Sequence, residues 1–172
     1  MHTEPILKSI NRTIGFLYCL QLLLYFGVLI LFKINLAYSS IISFLIFLSV
    51  LHIGLWIFLS IMHDHFTVIP TGEKLKRINI ANKITLFRIS STPFAGFLLL
   101  LFPKHRIWSV LIPIILLVFL SDMFDGAIAR GNRQITKIGK YLDSISDYSI
   151  LIVVSFILMK YRMIPDWLFL LI

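Results

Sequence analysis

Long apolar runs separated by short polar, mostly basic stretches dominate the chain. Five can be drawn, over residues 14–32, 37–62, 84–102, 107–129 and 141–159, and a sixth opens at 164 and reaches 172. A helix of about 20 apolar residues crosses a hydrocarbon core about 30 Å thick. The pattern therefore predicts an all-α, polytopic transmembrane helix bundle of about five spans plus the start of a sixth. That last run is too short to cross and carries Asp166 near its start. It predicts a chain cut short inside a span, with an interfacial stub as the alternative. Lys8 and Arg12 before the first run resemble the start of a signal peptide. The run is long for a signal core, however, and no small-x-small cleavage site follows, so a retained span is expected.

Composition supports the membrane reading: 59% of residues are hydrophobic and 14% charged, against roughly 25% charged in soluble domains. The formal charge of +8 raises nucleic acid as a partner, but no dense basic block exists. The basic residues sit between apolar runs, as loops beside an anionic bilayer do. With the N-terminus inside, Lys8, Arg12, Lys74, Lys76, Arg77, Lys83, Arg130, Arg133, Lys137 and Lys140 face the cytoplasm. Lys33, Lys104, Arg106, Lys160 and Arg162 face outward, and this ten-to-five excess sets the orientation. Residues 71–82 mix Lys74, Lys76 and Arg77 with Leu75, Ile78 and Ile80. They read as a short amphipathic helix on the inner surface, or else as a solvated linker. Trp56, Trp108 and Trp167 fall near span ends, where interfacial anchoring explains them. Cys19, the sole cysteine, lies in an apolar run and has no intrachain partner.

Candidate chemistry lies in the acidic residues. Glu4, Asp64, Glu73 and Asp166 occupy loops or flanks, whereas Asp122, Asp125, Asp143 and Asp147 sit at the inner ends of the fourth and fifth runs. An ionisable residue inside a membrane is costly and is a functional candidate by default. The two pairs are three and four residues apart, so each shares one helix face. Gly131 and Asn132 supply a turn that lets the faces meet as a hairpin. Four clustered carboxylates repel one another unless cations intervene, and an all-oxygen donor set favours Mg²⁺ or Mn²⁺ over zinc. Gly126 beside Asp125, and Gly139 one turn before Asp143, leave room for a ligand or a neighbouring backbone. Arg88, one turn inside the third span, either snorkels to the surface or meets a phosphate. Asn82 and Thr85 share its face. The His63-Asp64-His65 cluster reads as a solvated loop rather than a metal site.

Residues 122–147, DMFDGAIARGNRQITKIGKYLDSISD, match all eight fixed positions of D-x2-D-G-x2-A-R-x8-G-x3-D-x3-D. At background usage such a match arises on the order of once in 10⁹ trials. This segment resembles the signature of the CDP-alcohol phosphotransferases. Residues 79–94, NIANKITLFRISSTPF, resemble that family's first core helix, most nearly in its phosphatidylglycerophosphate synthases. The resemblance implies that Asp122, Asp125, Asp143 and Asp147 hold two divalent ions, Mg²⁺ or Mn²⁺, with Asp147 as general base. Asp122, Asp125, Gly126, Ala129, Arg130 and Gly139 would form the site of a CDP-linked lipid donor such as CDP-diacylglycerol. Arg130 either steadies the phosphates or anchors the helix end. Asn82, Thr85 and Arg88 are candidate phosphate or pocket contacts.

A small alcohol would accept the phosphatidyl group at the cytoplasmic face, with release of CMP. Glycerol 3-phosphate leads, although Tyr148 stands where those synthases usually place Lys. Serine, inositol or its phosphate, and a CDP-choline-type reaction on diacylglycerol stay open. The resemblance also raises a possible homodimer, while the scattered basic residues argue against a nucleic acid partner. It divides the chain into a two-helix membrane addition (1–70) and a core (71–172) that lacks its later helices. The competing classes are a cation-transport protein with an aspartate path and an inactive fragment of the enzyme.

Overall fold

In a computed structural model of the protein, residues 4–169 are described, apart from Arg133. The inward placement of Arg133 and the end of the sixth run, 170–172, thus lie outside the described residues. Five long helices form: α1 (Glu4–Leu31), α2 (Tyr38–Ile61), α3 (Ile80–Leu101), α4 (Trp108–Gly131) and α5 (Lys137–Lys160), with a single turn, α6 (Asp166–Phe169). Each of the five is long and apolar enough to cross a membrane, as the runs predict.

Three helices begin earlier than their apolar runs, in polar sequence. In α1, Ile6, Ile10, Ile14 and Leu17 recur at helical spacing and are all buried, so an amphipathic extension precedes the span. The side chain of Asn79 caps α3 by accepting from the Asn82 amide at 3.0 Å, and Thr136 caps α5 by accepting from the Gly139 amide at 3.0 Å.

The amphipathic helix expected over 71–82 is absent before Ile80. Gly72 takes a left-handed φ of 69°, and Thr67 and Lys74 pair in a short antiparallel bridge. Phe66 and Val68 just before it and Ile78 within it are buried, Leu75 is partly so and Ile80 is exposed, so the segment turns Ile78 into the bundle and presents no continuous apolar face. The His63–His65 turn is a single 3-10 turn. There Lys74 bonds Asp64 at 2.9 Å and holds its carboxyl below the ordinary range.

Helix α3 lies at the centre. Two-thirds (67%) of its most apolar window is buried, against at most 28% for any other long helix. One core gathers the first half of α1, the end of α2, the start of α3 and the start of α5, around Leu59, Leu86, Ile89 and Leu142. A second joins the other halves of α1 and α2 to the end of α3 and the start of α4, with Tyr25 and Phe44 stacked at 4.0 Å. The two N-terminal helices thus pack directly on α3.

The aspartate-bearing helices α4 and α5 do not close on each other as a simple hairpin; each packs along α3. Their connection is pinned from both sides. Ile69 donates its amide to the Ile135 carbonyl at 2.8 Å, and Lys137 to that of Thr67 at 3.1 Å. Asn79 Nδ2 donates to the Gln134 carbonyl at 3.0 Å, while the Asn82 amide side chain and the Thr136 hydroxyl bond each other at 3.0 and 3.1 Å. The two caps are therefore one linked network.

Gly139 is what lets them approach. A Cβ there would lie 2.9 Å from both Asn82 Oδ1 and Thr136 Oγ1, whereas one at Gly131 would meet nothing within 4 Å. Gly139→Ala should lower stability in a thermal melt of the detergent-solubilised protein by about 1–3 kcal/mol, the usual cost of overpacking. Gly131→Ala should not destabilise. Equal melting points for the two variants would mean that the linked caps do not hold α3 against α5.

Candidate functional site

Three helices contribute one face each to a polar cluster at a single end of the bundle. From α3 come Thr85 and Arg88, from α4 Asp122 and Asp125, and from α5 Asp143, Ser146 and Asp147. Arg88 stands in the middle, 1% exposed. Its Nε donates to Ser146 Oγ at 2.5 Å, and its Nη1 bonds Asp122. Nη2 lies 3.6 Å from Asp125 Oδ2 and 4.0 Å from Asp143 Oδ1. Asp125, itself 6% exposed, also accepts from Thr85 Oγ1 at 2.8 Å. Asp122 and Asp143 are open to solvent at 64% and 56%, and Asp147 is exposed as well.

Arg88 therefore does not snorkel. Its length would permit that, but three carboxylates and a hydroxyl in reach stabilise the buried charge better than a strained path to water. Thr85 joins the cluster as its face predicts. Asn82 does not: both ends of its amide are engaged with Thr136. Gly139 likewise faces Asn82 and Thr136 rather than an open pocket, so it serves packing. Gly126 is half-buried with Arg130 alongside; a Cβ there would stand 3.1 Å from Arg130 Nη1. Ala129 is half-buried and Arg130 exposed. Ser146 was missed by sequence reading. Its only signal is its position three residues after Asp143, on the same face.

The donor set suits a hard divalent cation in chemistry, being all carboxylate and hydroxyl oxygen. It also suits one in charge, since Arg88 offsets only one of four nearby carboxylates. Asp122, Asp125, Asp143 and Asp147 are the residues that would hold it. Among the described residues no three metal-capable side chains stand close enough to share one ion. The guanidinium of Arg88 separates Asp122, Asp125 and Asp143.

Fold and cluster together define an integral, multi-pass helical membrane protein with an acidic site at one end of its bundle. The family model for CDP-alcohol phosphatidyltransferase matches residues 78–172, and the chain belongs to that family. It is similar to proteins named CDP-diacylglycerol–glycerol-3-phosphate 3-phosphatidyltransferase. The one from Pectobacterium atrosepticum is 33% identical over 84 residues, 48% of this chain and 44% of the relative. The one from Yersinia enterocolitica is 36% identical over 73 residues, 41% and 38% of the two chains. The one from Cereibacter sphaeroides is 31% identical over 94 residues, 54% and 42%. The matched part thus spans less than half the length of these relatives. No solved structure matches the chain.

Arg88 should be the keystone of the cluster. Arg88→Leu leaves Asp122, Asp125 and Asp143 facing one another without a countercharge. Unpairing a buried ion pair costs about 3–5 kcal/mol. Because only Asp125 of the three is itself buried, the low end, about 3 kcal/mol, is expected in a detergent melt. Arg88→Lys should recover part of the loss, since one ammonium can meet a carboxylate but not also Ser146. An unchanged melting point for Arg88→Leu would show that the carboxylates do not depend on it.

Proposed function

We propose that the protein is a divalent-metal-dependent transferase. It moves the phosphatidyl group of CDP-diacylglycerol to the hydroxyl of a small alcohol, best glycerol 3-phosphate, and releases CMP at the cytoplasmic face. The observation that carries this reading is the convergence of Asp122, Asp125 and Asp143 on Arg88, within an intact family signature, at one end of a membrane bundle. The names of the relatives favour glycerol 3-phosphate, while Tyr148 is a departure from the synthases they resemble.

Several features of the site support this reading. Nη2 of Arg88 is buried without a hydrogen-bond partner, which suits it to a diphosphate oxygen of the donor. Gly126 and Ala129 keep the α4 surface low beside the exposed Arg130, so a nucleotide can lie there. Bound divalent ions would neutralise charge on the diphosphate and on the attacking and leaving oxygens. Asp147, solvent-exposed and one turn beyond Asp143, would take the proton of the acceptor hydroxyl as its oxygen bonds to the phosphatidyl phosphorus. The bond from that phosphorus to the CMP oxygen breaks, and CMP carries the charge away.

Purified protein given CDP-diacylglycerol, glycerol 3-phosphate and Mg²⁺ should release CMP. EDTA should abolish release, Mn²⁺ restore it and Zn²⁺ fail to. Asp147→Asn should bind donor within about tenfold of wild type, a change near 1.4 kcal/mol, yet turn over about 10²–10⁴-fold more slowly, the usual worth of a positioned base. Asp125→Asn should lose donor binding itself. Full turnover in EDTA would remove the metal from the mechanism, and near-normal turnover by Asp147→Asn would place the base elsewhere.

The cytoplasmic orientation rests on the excess of basic residues at the aspartate end of the bundle. In a Cys19-free background, a membrane-impermeant thiol reagent on intact cells should label His105→Cys and spare Asn132→Cys. The reverse pattern inverts the topology.

A further inference from the structure

Helix α4 has two chemically distinct faces. Asp122 and Asp125 point towards α3 and Arg88. Pro113, Leu117, Leu120, Phe124 and Ile128, at steps of three and four residues, line the other side. There they form one wall of a groove of about 1240 Å³, with α3 as the floor and the first half of α1 as the opposite wall. This exceeds the roughly 300–1,000 Å³ of small-molecule pockets. From Pro113 to Ile128 the wall runs about 22 Å at 1.5 Å per residue, longer than the hydrocarbon of one leaflet, about 15 Å.

Charge is confined to one end of the groove. Lys8 and Arg12 of α1, Arg77 before α3 and Lys83 in its first turn line that end, and among the described residues no acidic one lines the groove. Arg12, Arg77 and Lys83 make no ion pair among the described residues, and Lys8 has only an exposed contact with Glu4 at 3.7 Å. A slot with apolar walls one leaflet deep and a cationic rim complements an anionic head on long hydrocarbon chains. Helix α1 lies before the segment that matches the family, so this wall is supplied by the N-terminal part of the chain.

We propose that the groove binds one anionic glycerophospholipid from the inner leaflet. Its head phosphate is held by Arg12, Arg77 and Lys83, and its acyl chains lie against the aspartate-free face of α4. The lipid fills the gap between α1 and the family core. It occupies a site separate from the acidic cluster, on the far side of α4; the choice of leaflet rests on the orientation proposed above, and the binding itself does not depend on the transferase reading.

The test titrates delipidated, detergent-solubilised protein with phosphatidylglycerol and, separately, with phosphatidylcholine of the same chains, counting bound lipid by native mass spectrometry. One phosphatidylglycerol should bind per chain, at least tenfold tighter than phosphatidylcholine, and the preference should shrink at high salt. The double variant Arg12→Gln/Lys83→Gln should lose at least tenfold in phosphatidylglycerol affinity with phosphatidylcholine unchanged. Leu117→Trp, which fills the groove without touching its charge, should weaken both lipids and keeps the test open if the double variant does not fold. Equal binding of the two lipids, or full phosphatidylglycerol affinity in Leu117→Trp, overturns the proposal. So does cross-linking of two copies that carry Leu117→Cys, which would make the occupant protein.

Discussion

Arg88 is the one charge on which the aspartate end of this bundle depends. A guanidinium removed from water inside a membrane protein costs several kcal/mol unless partners compensate. Here the compensation comes from three separate places: Asp122 and Asp125 on α4, Asp143 and Ser146 on α5, with Thr85 beside it on α3 completing Asp125. The dependence is mutual. Without the cation the carboxylates would repel, and without the carboxylates the cation would have to leave the bundle. One side chain thus fixes the relative placement of two helices that scarcely touch each other. The same arrangement weighs against a cation path through the aspartates, because a fixed positive charge stands across it.

The rest of α3 repeats the pattern with neutral groups. Gln21 of α1 donates to Ser91 at 3.0 Å, His52 of α2 bonds Ser90 at 2.8 Å, and Thr92 lies 3.4 Å from Ser149 of α5. Each interhelical bond of this kind is worth only about 0.6–2 kcal/mol in a membrane. Polar contacts to three neighbours nevertheless fix the rotation of α3 about its axis. That rotation aims Arg88 at α4 and α5 while Ser90 and Ser91 face α2 and α1. The N-terminal pair of helices therefore contributes to the site indirectly, by holding the helix that carries its central cation.

Hydropathy located all five long helices because it reports the one property that crossing a bilayer requires. It misplaced the starts of α1, α3 and α5, since those turns are polar and are set by a buried isoleucine stripe or by Asn79 and Thr136 caps. It also drew a surface helix over 71–82, where periodic apolar residues exist but Gly72 and the Thr67–Lys74 bridge turn the chain inward. The four aspartates were legible because carboxylates in a span are rare and their spacing puts each pair on one face. The fate of Arg88 was not, because snorkelling and ligand binding satisfy the same sequence; only the positions of α4 and α5 decide. Ser146 was invisible, being one serine among several in α5. Gly139 could have served a ligand or a neighbour, and the side chains of Asn82 and Thr136 settle it.

The net charge of +8 also acquires a structural meaning. At the aspartate end of the bundle, one basic set stands apart from the carboxylates, on the other side of α4. The carboxylates gather on the side facing α3 and α5, with Arg88 among them, and Lys8, Arg12, Arg77 and Lys83 gather on the other. Both sets sit within a few turns of one another, yet the exposed cations form no ion pair with Asp122, Asp125 or Asp143. Mutual neutralisation would have been the cheaper arrangement for folding alone. Keeping the charges apart leaves the acidic side short of positive charge, which divalent cations can supply. It leaves the basic side short of negative charge, which lipid phosphates can supply. The helix between them presents two surfaces, one acidic and one apolar with a basic rim.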